Sequence, residues 1–577
     1  MTTNKHSSTC LHFNFILLIL SQNVLAEPLP GIGHQPQQYP GAGSQMQQLP
    51  RIPDQRDPIP IPTPTPTIPT QENPKPIVSK TESIKIIVNR LKISSAPEYS
   101  EAELIKIAGF TSGSELSLSD LRGMAKKVAD YYRRNGFFAA QAYLPAQDIK
   151  DGVVIIAVIA GQYGKITVNN KTNLSDALAK DLLSGLNKND PIKAEPLERS
   201  LLLLSDLPGV RIHSTLVPGE ATGTSDLLVD IEQGQRFSGS IDGDNAGNRY
   251  TGAYRTGGTF NINNMAGHGD VASLRVLTSG PGLNYGRASY RMQFGKATVG
   301  AAYSYLQYNL GEQYEDLDAH GSQKIADVFG SYPLLRTRDN NLHALVGYEE
   351  RIFQDKLDSV SSVADREAHV FKAGLYGDHR DNFIAGGTDA YSLTLSSGAI
   401  DLKSREPRDS DAATAKTQGD YSKLTFYGNR QQNLNSTFSL YASVHGQWAS
   451  KNLDPFEKME LGGMNAVRAY PEGEAYGDAG YVLTAEVRMR LPTFSEKIPG
   501  QTQLTTFMDT GTIISNTNRW TEGDNTRTLS GIGVGLDWMG INNFLVRGYY
   551  AHKLGSGEAL SGPDSSGRFW LQTVKYF

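Results

Sequence analysis

The chain has 577 residues, 39% hydrophobic, 9% aromatic and 20% charged, with 55 Lys and Arg against 60 Asp and Glu for a formal net charge of −5. No basic block stands out, which argues against a nucleic-acid binder. Beyond residue 26 no stretch is apolar over the roughly 18 positions a spanning helix needs. That excludes a polytopic helical membrane protein and leaves open a β-barrel, whose strands are only half apolar.

Residues 1–26 read as a cleaved signal peptide. Lys5 and His6 precede an apolar run at 13–20, and Val24-Leu25-Ala26 supplies small residues at a processing site before Glu27. The only cysteine, Cys10, lies in that leader, so the mature chain is expected to hold no disulfide and no cysteine-based metal site or nucleophile. Residues 27–78 carry 14 of the 28 prolines. Such density blocks helix and ladder and favours extended polyproline II, so this stretch reads as a proline-rich linker.

From residue 79 the pattern changes. A strand is predicted at 84–88, a short helix at 100–108 and a second helix at 118–134. That second helix has Leu118, Leu121, Ala125, Val128, Ala129 and Tyr132 on one face. Ser117 and Asp120 suit its start and Asn135-Gly136 its end. β-like runs follow at 139–144 and 153–159. The order β-α-α-β-β then recurs over 162–234, with strands at 166–168, 210–217 and 227–231 and helices at 174–186 and 197–207. Two small α+β modules, 79–161 and 162–234, are therefore expected as an internal repeat.

From 235 to 577 the helical period gives way to alternation. Gly286, Ala288, Tyr290, Met292 and Phe294 take one face, and Arg287, Ser289, Arg291 and Gln293 the other. Tyr481, Leu483, Ala485, Val487, Met489 and Leu491 alternate with Val482, Thr484, Glu486, Arg488 and Arg490, and Ile532, Val534, Leu536 and Trp538 alternate with glycines and Asp537. Strands of about 9–11 residues are what a tilted bilayer crossing requires. The fold class is thus mainly β: a transmembrane antiparallel barrel at 235–577, where sixteen strands leave about 21 residues for each strand and loop. The last strand, 568–577, is imperfect, because Thr573 and Lys575 share a face with Phe577.

Enzyme signatures such as GxxxxGK[ST], HExxH and GxSxG are absent, so no catalytic residue, cofactor or metal ligand is assigned. The stretch 242–247 starts like a calcium loop, but Ala246 and Ala253 stand where oxygen ligands belong, and it reads as a hairpin connection. The acidic stretch 312–318 reads as a solvated loop. Two short motifs carry more. Val467-Arg468-Ala469-Tyr470 lies in a glycine-rich connection just before the strand at 481–491, and Phe507-Met508-Asp509-Thr510-Gly511 lies in the next strand. Phe507, Asp509 and Gly511 share a face. A charged Asp509 facing lipid would be costly, so this face is assigned to the lumen, where an arginine on an infolded loop can meet the carboxylate bidentately. Glu486, in the intervening strand, is a second acceptor.

These motifs, with Tyr143-Leu144-Pro145-Ala146-Gln147 through Gly152-Val153 in the first module and Asp244-Asn245-Ala246-Gly247 through Gly252 at the barrel start, make the chain from 84 to 577 similar to a known family. It resembles the outer-membrane transporters of two-partner secretion, the TpsB group (ShlB/FhaC/HecB-like), cousins of the BamA-type assembly proteins. The resemblance implies two periplasmic POTRA domains, a 16-stranded barrel, and a sixth extracellular loop tucked into the lumen with its arginine (here Arg468) on the strand aspartate (here Asp509). It also implies a function: translocation to the cell surface of a large exoprotein with an N-terminal secretion domain. The expected setting is a Gram-negative outer membrane, with lipid around the barrel, periplasmic chaperones and the barrel-assembly machinery acting during biogenesis, a monomeric state, and no nucleic acid or cofactor. A BamA-like factor that inserts other barrels is the alternative. The family pattern has glycine where this chain has Ala469. Some members carry an N-terminal plug helix, against which the proline content of 27–78 argues here.

Overall fold

The structure is a computed structural model that describes residues 41–50, 85–94, 98–493 and 499–577; the expected signal peptide and most of the expected linker lie outside the described residues. The described part opens with a short helix, α1 (Ala42–Gln47). This departs from the reading of 27–78 as linker throughout. Between Pro40 and Pro50 the chain has no proline and supplies Ala, Met and Gln, which helix geometry accepts.

The first α+β unit comprises β1 (Lys85–Val88), β2 (Arg90–Ser94), α2 (Glu101–Ala108), β3 (Ser114–Ser117), α3 (Leu118–Arg134), β4 (Gln141–Tyr143) and β5 (Val153–Ile159). β2 lies parallel to β5, β4 pairs antiparallel with its other edge, and β1 pairs with β3 in a separate ribbon. Both helices pack over the three-stranded sheet around Val88, Leu104, Val128, Tyr132, Val154, Ile156 and Val158. α3 begins with a full capping box: Asp120 N–H donates to Ser117 Oγ at 3.1 Å, and Ser117 N–H donates to the Asp120 carboxylate at 2.9 Å. Those bonds hold the Asp120 carboxyl below its ordinary range, so the cap weakens on acidification. Ser117→Ala is expected to cost this unit about 1 kcal/mol, measurable as a lower urea midpoint of the isolated unit. Gln147 stands in for a strand residue, as its side-chain amide donates to Ile155 O at 2.8 Å and accepts from Ile155 N at 2.7 Å. The turn into β5 needs Gly152, at φ +68°, because a Cβ there would stand 2.9 Å from Ile87 O.

The second unit repeats the plan with β6 (Gln162–Asn170), α4 (Asp176–Leu182), α5 (Ala194–Ser205), β7 (Val210–Pro218) and β8 (Thr224–Gln233). β6 is parallel and β7 antiparallel to β8, which matches β2 and β4 about β5. The two units differ by the added β1–β3 ribbon. β1 falls within the strand predicted at 84–88; its partner β3 and the neighbouring β2 were not predicted, since strands of four or five residues carry too few alternations to read.

Sixteen strands form the closed barrel. They are β9 (Phe237–Asp244), β10 (Arg255–Asn263), β11 (Val271–Thr278), β12 (Leu283–Phe294), β13 (Ala297–Asn309), β14 (Ala319–Arg336), β15 (Asn340–Leu357) and β16 (Ser362–Asp381), followed by β17 (Gly387–Leu402), β18 (Gly419–Asn433) and β19 (Phe438–Ala449). A small hairpin inside the next loop, β20 (Met459–Leu461) with β21 (Ala475–Gly477), interrupts the wall. The wall resumes with β22 (Ala479–Leu491), β23 (Gly500–Ile514), β24 (Thr526–Gly540), β25 (Phe544–Lys553) and β26 (Gly567–Tyr576). All wall neighbours are antiparallel, and β26 closes on β9. Tyr481, Leu483, Val487, Ile532, Val534 and Leu536 are exposed on the outer face, as the alternation predicts. Strand lengths exceed the prediction, since β14 and β15 each have 18 residues and β16 has 20. A bilayer needs only about half of that, so the surplus continues the ladder beyond the apolar band.

The second unit seats on the near end of the barrel. Ser175 N–H donates to Gly267 O at 2.8 Å, Asn173 to Asn264 O at 2.8 Å, and Arg336 pairs with Asp206 at 2.7 Å. These contacts set which mouth of the barrel faces the two modules and which connections form the far end.

Candidate functional site

The connection from β19 to β22, residues 450–478, lies at the far end but folds back into the lumen. Its descent is secured by charge. Glu457, 1% exposed, accepts from Arg351 of β15 at 2.6 Å and from Tyr421 and Lys423 of β18. Burial works against its carboxylate, but Arg351 and Lys423 bring the carboxyl down to about 2. Asp454 pairs with Arg366 of β16 at 3.2 Å, and Lys458 with Asp478 at 3.0 Å. Glu474 pairs with Arg527 of β24 and accepts from Leu560 N and Ser561 N, which ties this loop to the 554–566 loop.

The tip carries the first motif. Arg468 Nε and Nη2 each stand 2.8 Å from a different oxygen of Asp509 on β23, and Arg468 N–H donates to the same carboxylate at 3.2 Å. Nη2 also reaches Glu486 of β22 at 2.9 Å, and Thr484 Oγ1 donates to Asp509 at 3.0 Å. The guanidinium lies over the Phe507 ring, 3.4 Å from its centroid, with Tyr549 of β25 at 5.3 Å. Asp509 is fully buried and Arg468 is 6% exposed. Burial disfavours the guanidinium charge, yet Asp509 and Glu486 hold Arg468 above the ordinary arginine value.

All seven motif residues singled out by sequence gather here. Val467 and Tyr470 are buried with Leu461, Val482, Phe507 and Leu529 in one apolar cluster. Gly511 leaves room for the loop: a Cβ there would stand 2.5 Å from Leu461 Cδ1. The alanine at 469 has a counterpart in the wall. A Cβ on Gly531 of β24 would lie 2.4 Å from the Ala469 Cβ, so the methyl group absent from the wall is present on the loop. Gly531→Ala is therefore expected to displace the tip and to destabilise it by about 1–3 kcal/mol. The added Ala469→Gly should restore the loss, read as the heat-modifiability midpoint of the barrel.

Helix α1 lies across the same lumen. Ala42 N–H donates to Asp355 at 3.0 Å, and Gln45 accepts from Thr251 at 2.8 Å. Gln47 donates to Phe456 O at 2.8 Å, Gln48 donates to Tyr476 OH at 2.7 Å, and Arg255 donates to Gln48 O. Beneath Gln48, burial and the neighbouring Glu472 push the Glu460 carboxyl well above its usual range. A cavity of about 570 Å³ remains between α1, the loop and the wall, lined by Gln47, Gln323, Arg351 and Thr425 among others.

Glu457, Glu474, Tyr549 and α1 escaped the sequence reading. For α1 the nine-residue proline-free gap was the available signal; the others gave none, because their partners are set by barrel closure. Among the described residues, His379, Asp381 and Asp389 have ligand atoms close enough to share an ion, but Arg430 already bridges the two aspartates at 2.9 and 2.7 Å.

Comparison with known proteins agrees with this architecture. The family described as haemolysin secretion/activation protein ShlB/FhaC/HecB matches residues 223–538, and the ShlB-type POTRA domain matches 86–161. The chain is 28% identical over 470 residues to the heme/hemopexin transporter protein HuxB of Haemophilus influenzae, covering 81% of this chain and 82% of that one. Its fold matches CdiB from Escherichia coli with a TM-score of 0.68 at 18% identity, covering 88% and 93% of the two chains. It matches BamA from Haemophilus ducreyi lacking POTRA domains 1–3 with a TM-score of 0.51 at 14% identity, covering 85% and 100%.

Proposed function

The chain belongs to the haemolysin secretion/activation (ShlB/FhaC/HecB) family, and from that premise we propose how its parts divide the work of export. It is an outer-membrane transporter whose POTRA domains lie in the periplasm and whose barrel serves two-partner secretion, delivering a large partner exoprotein to the cell surface. Family members are transporters and not enzymes.

The finer reading is as follows. Residues 1–26 direct export and are removed. Residues 79–161 and 162–234 capture the unfolded N-terminal part of the partner, whose extended chain can add to an open sheet edge such as that of β7. Residues 235–577 form the pore, with Arg468, Asp509 and Glu486 locking the infolded loop to the wall. The chain reaches the membrane with periplasmic chaperones and the barrel-assembly machinery, and works as a monomer. No nucleotide-binding motif is present in the sequence, so folding of the partner outside the cell supplies the direction.

The observation that carries this reading is the lumen itself. A wide barrel is narrowed by two internal obstructions of unequal strength, a loop anchored by ion pairs and a short helix held by single hydrogen bonds, some neutral and some charge-assisted. That arrangement suits a pore that opens for one large passenger. Co-expression with candidate partner exoproteins, scored for cargo in the medium, tests it. Loss of other outer-membrane proteins on depletion, with no cargo secreted, would favour the barrel-insertion alternative instead. Deleting 79–161 is expected to abolish secretion while the barrel still assembles, because none of the wall strands comes from that unit; cargo in the medium beside a heat-modifiable barrel would refute the capture role.

A further inference from the structure

The barrel closes unevenly. β26 pairs with β25 from Gly567 to Lys575, but with β9 only from Gln572 to Tyr576. β9 ends at Asp244, and above it a single residue stitches the seam. Asn245 N–H donates to Leu571 O at 3.1 Å, its side chain accepts from Leu571 N at 2.7 Å, and its amide donates to Phe569 O at 3.0 Å. The far half of the closing strand therefore has a full ladder on one side only.

Trp570 sits in that half-supported stretch. Its neighbours Phe569 and Leu571 face outward, 56% and 39% exposed, whereas Trp570 points inward and is 4% exposed. Its indole N–H donates to the backbone carbonyl of Arg468 at 2.7 Å. A buried indole has one donor and no acceptor, and here that donor is spent on the residue whose side chain makes the lock. Residues 468 and 469 thereby touch five consecutive wall strands: β22 through Glu486, β23 through Asp509, β24 through Gly531, β25 through Tyr549 and β26 through Trp570. The clasp stops at the seam. On the other lip, Asp244 of β9 pairs with Arg255 of β10 at 2.9 Å, and Arg255 donates to Gln48 O beside α1.

We propose that Trp570 is a positioning residue of the transport pore: by holding the Arg468 backbone it couples the loop lock to the far half of the closing strand, so that loosening the lock frees the seam. This goes beyond the lock reading and rests on it. The coupling follows from the geometry, since the hydrogen bond has one end on the infolded loop and the other on the least supported length of wall. Its loss, or displacement of its acceptor when Arg468 leaves Asp509, takes this tether to the loop away from residues 567–571, which already reach the opposite lip only through Asn245.

Hydrogen exchange on the purified, lipid-embedded full chain without any cargo tests this, so a wrong choice of partner protein cannot affect the result. Trp570→Phe keeps the ring and removes the donor. It should speed exchange in peptides from the far half of β26 by about tenfold, the effect of one ordinary hydrogen bond, with β14–β16 unchanged. Arg468→Ala should speed the same peptides, and Trp570→Phe should add nothing in that background. Unchanged exchange in Trp570→Phe, or additive acceleration in the pair, would overturn the proposal and leave Trp570 a packing residue. If Trp570→Phe does not assemble, Arg468→Ala alone decides: exchange in the far half of β26 equal to wild type would refute the coupling.

Discussion

Arg468→Ala and Asp509→Ala should each nearly abolish secretion and change channel conductance, and the double variant should be little worse than either single. The pair is bidentate, shielded from water and stacked on Phe507. Removing the Arg468 side chain leaves Asp509 a buried charge with only the Thr484 hydroxyl as a side-chain partner, and removing Asp509 leaves Arg468 with Glu486 as its one carboxylate, at a cost of up to about 3–5 kcal/mol, whereas removing both removes that penalty. Arg468→Lys should fail almost as fully, because a single ammonium cannot reproduce the fork that meets both Asp509 oxygens. Glu486→Ala should be milder in its effect on the loop, since Asp509 keeps the two short contacts and Glu486 is shared with Arg488 at 2.7 Å. A double-mutant cycle on secretion and single-channel conductance checks this; additive defects would show that the two residues act separately.

The second large effect is expected at Gly43. A Cβ built there would stand 1.8 Å from Phe456 Cβ and 2.4 Å from Phe456 Cα, and Phe456 is itself stacked on Phe353 at 3.9 Å. A side chain cannot be accommodated by rotation, because the obstacle includes backbone. Gly43→Leu should therefore unseat α1 and raise conductance several-fold, as should deletion of 41–50, with the barrel's own stability unchanged. The helix has no charged side chain and its described contacts are neutral or single charge-assisted hydrogen bonds, each worth about 1–3 kcal/mol. The loop, by contrast, is held through Glu457, Asp454, Arg468 and Glu474. Of the two obstructions, the helix is the one expected to leave. Conductance equal to wild type in Gly43→Leu would show that α1 does not obstruct the pore.

What the sequence made legible follows from the physics of each part. Lipid outside and water inside impose a two-residue period on every wall strand, so runs such as Tyr481–Leu483–Ala485 were readable without knowing their partners. The helix of Leu118–Arg134 was readable because seventeen residues cover several turns and end in a capping box and Asn135-Gly136. Asp509 was readable because it sits in an alternating strand where a charge belongs on the lumen face, and Arg468 because its motif, one strand earlier, resembles the family's loop motif. Trp570 was not, being 102 residues from Arg468 and adjacent to it only because the barrel closes. Glu457 was not, because a lone acidic residue in a loop looks solvated until the loop is known to turn inward. Helix α1 was hidden by the prolines on either side of it. The length of β14–β16 exceeded expectation because bilayer thickness sets a minimum for a wall strand, not a maximum.

The central claim, that a partner protein passes through this lumen, is tested most directly by trapping it there. A photo-crosslinking amino acid at position 323 or 425, both lining the lumen cavity, should capture the partner during active secretion. The same group at position 393, where Leu393 faces outward and is 47% exposed, should capture none. Crosslinks from the outer face but none from the lumen, in cells that still secrete the partner, would contradict the account.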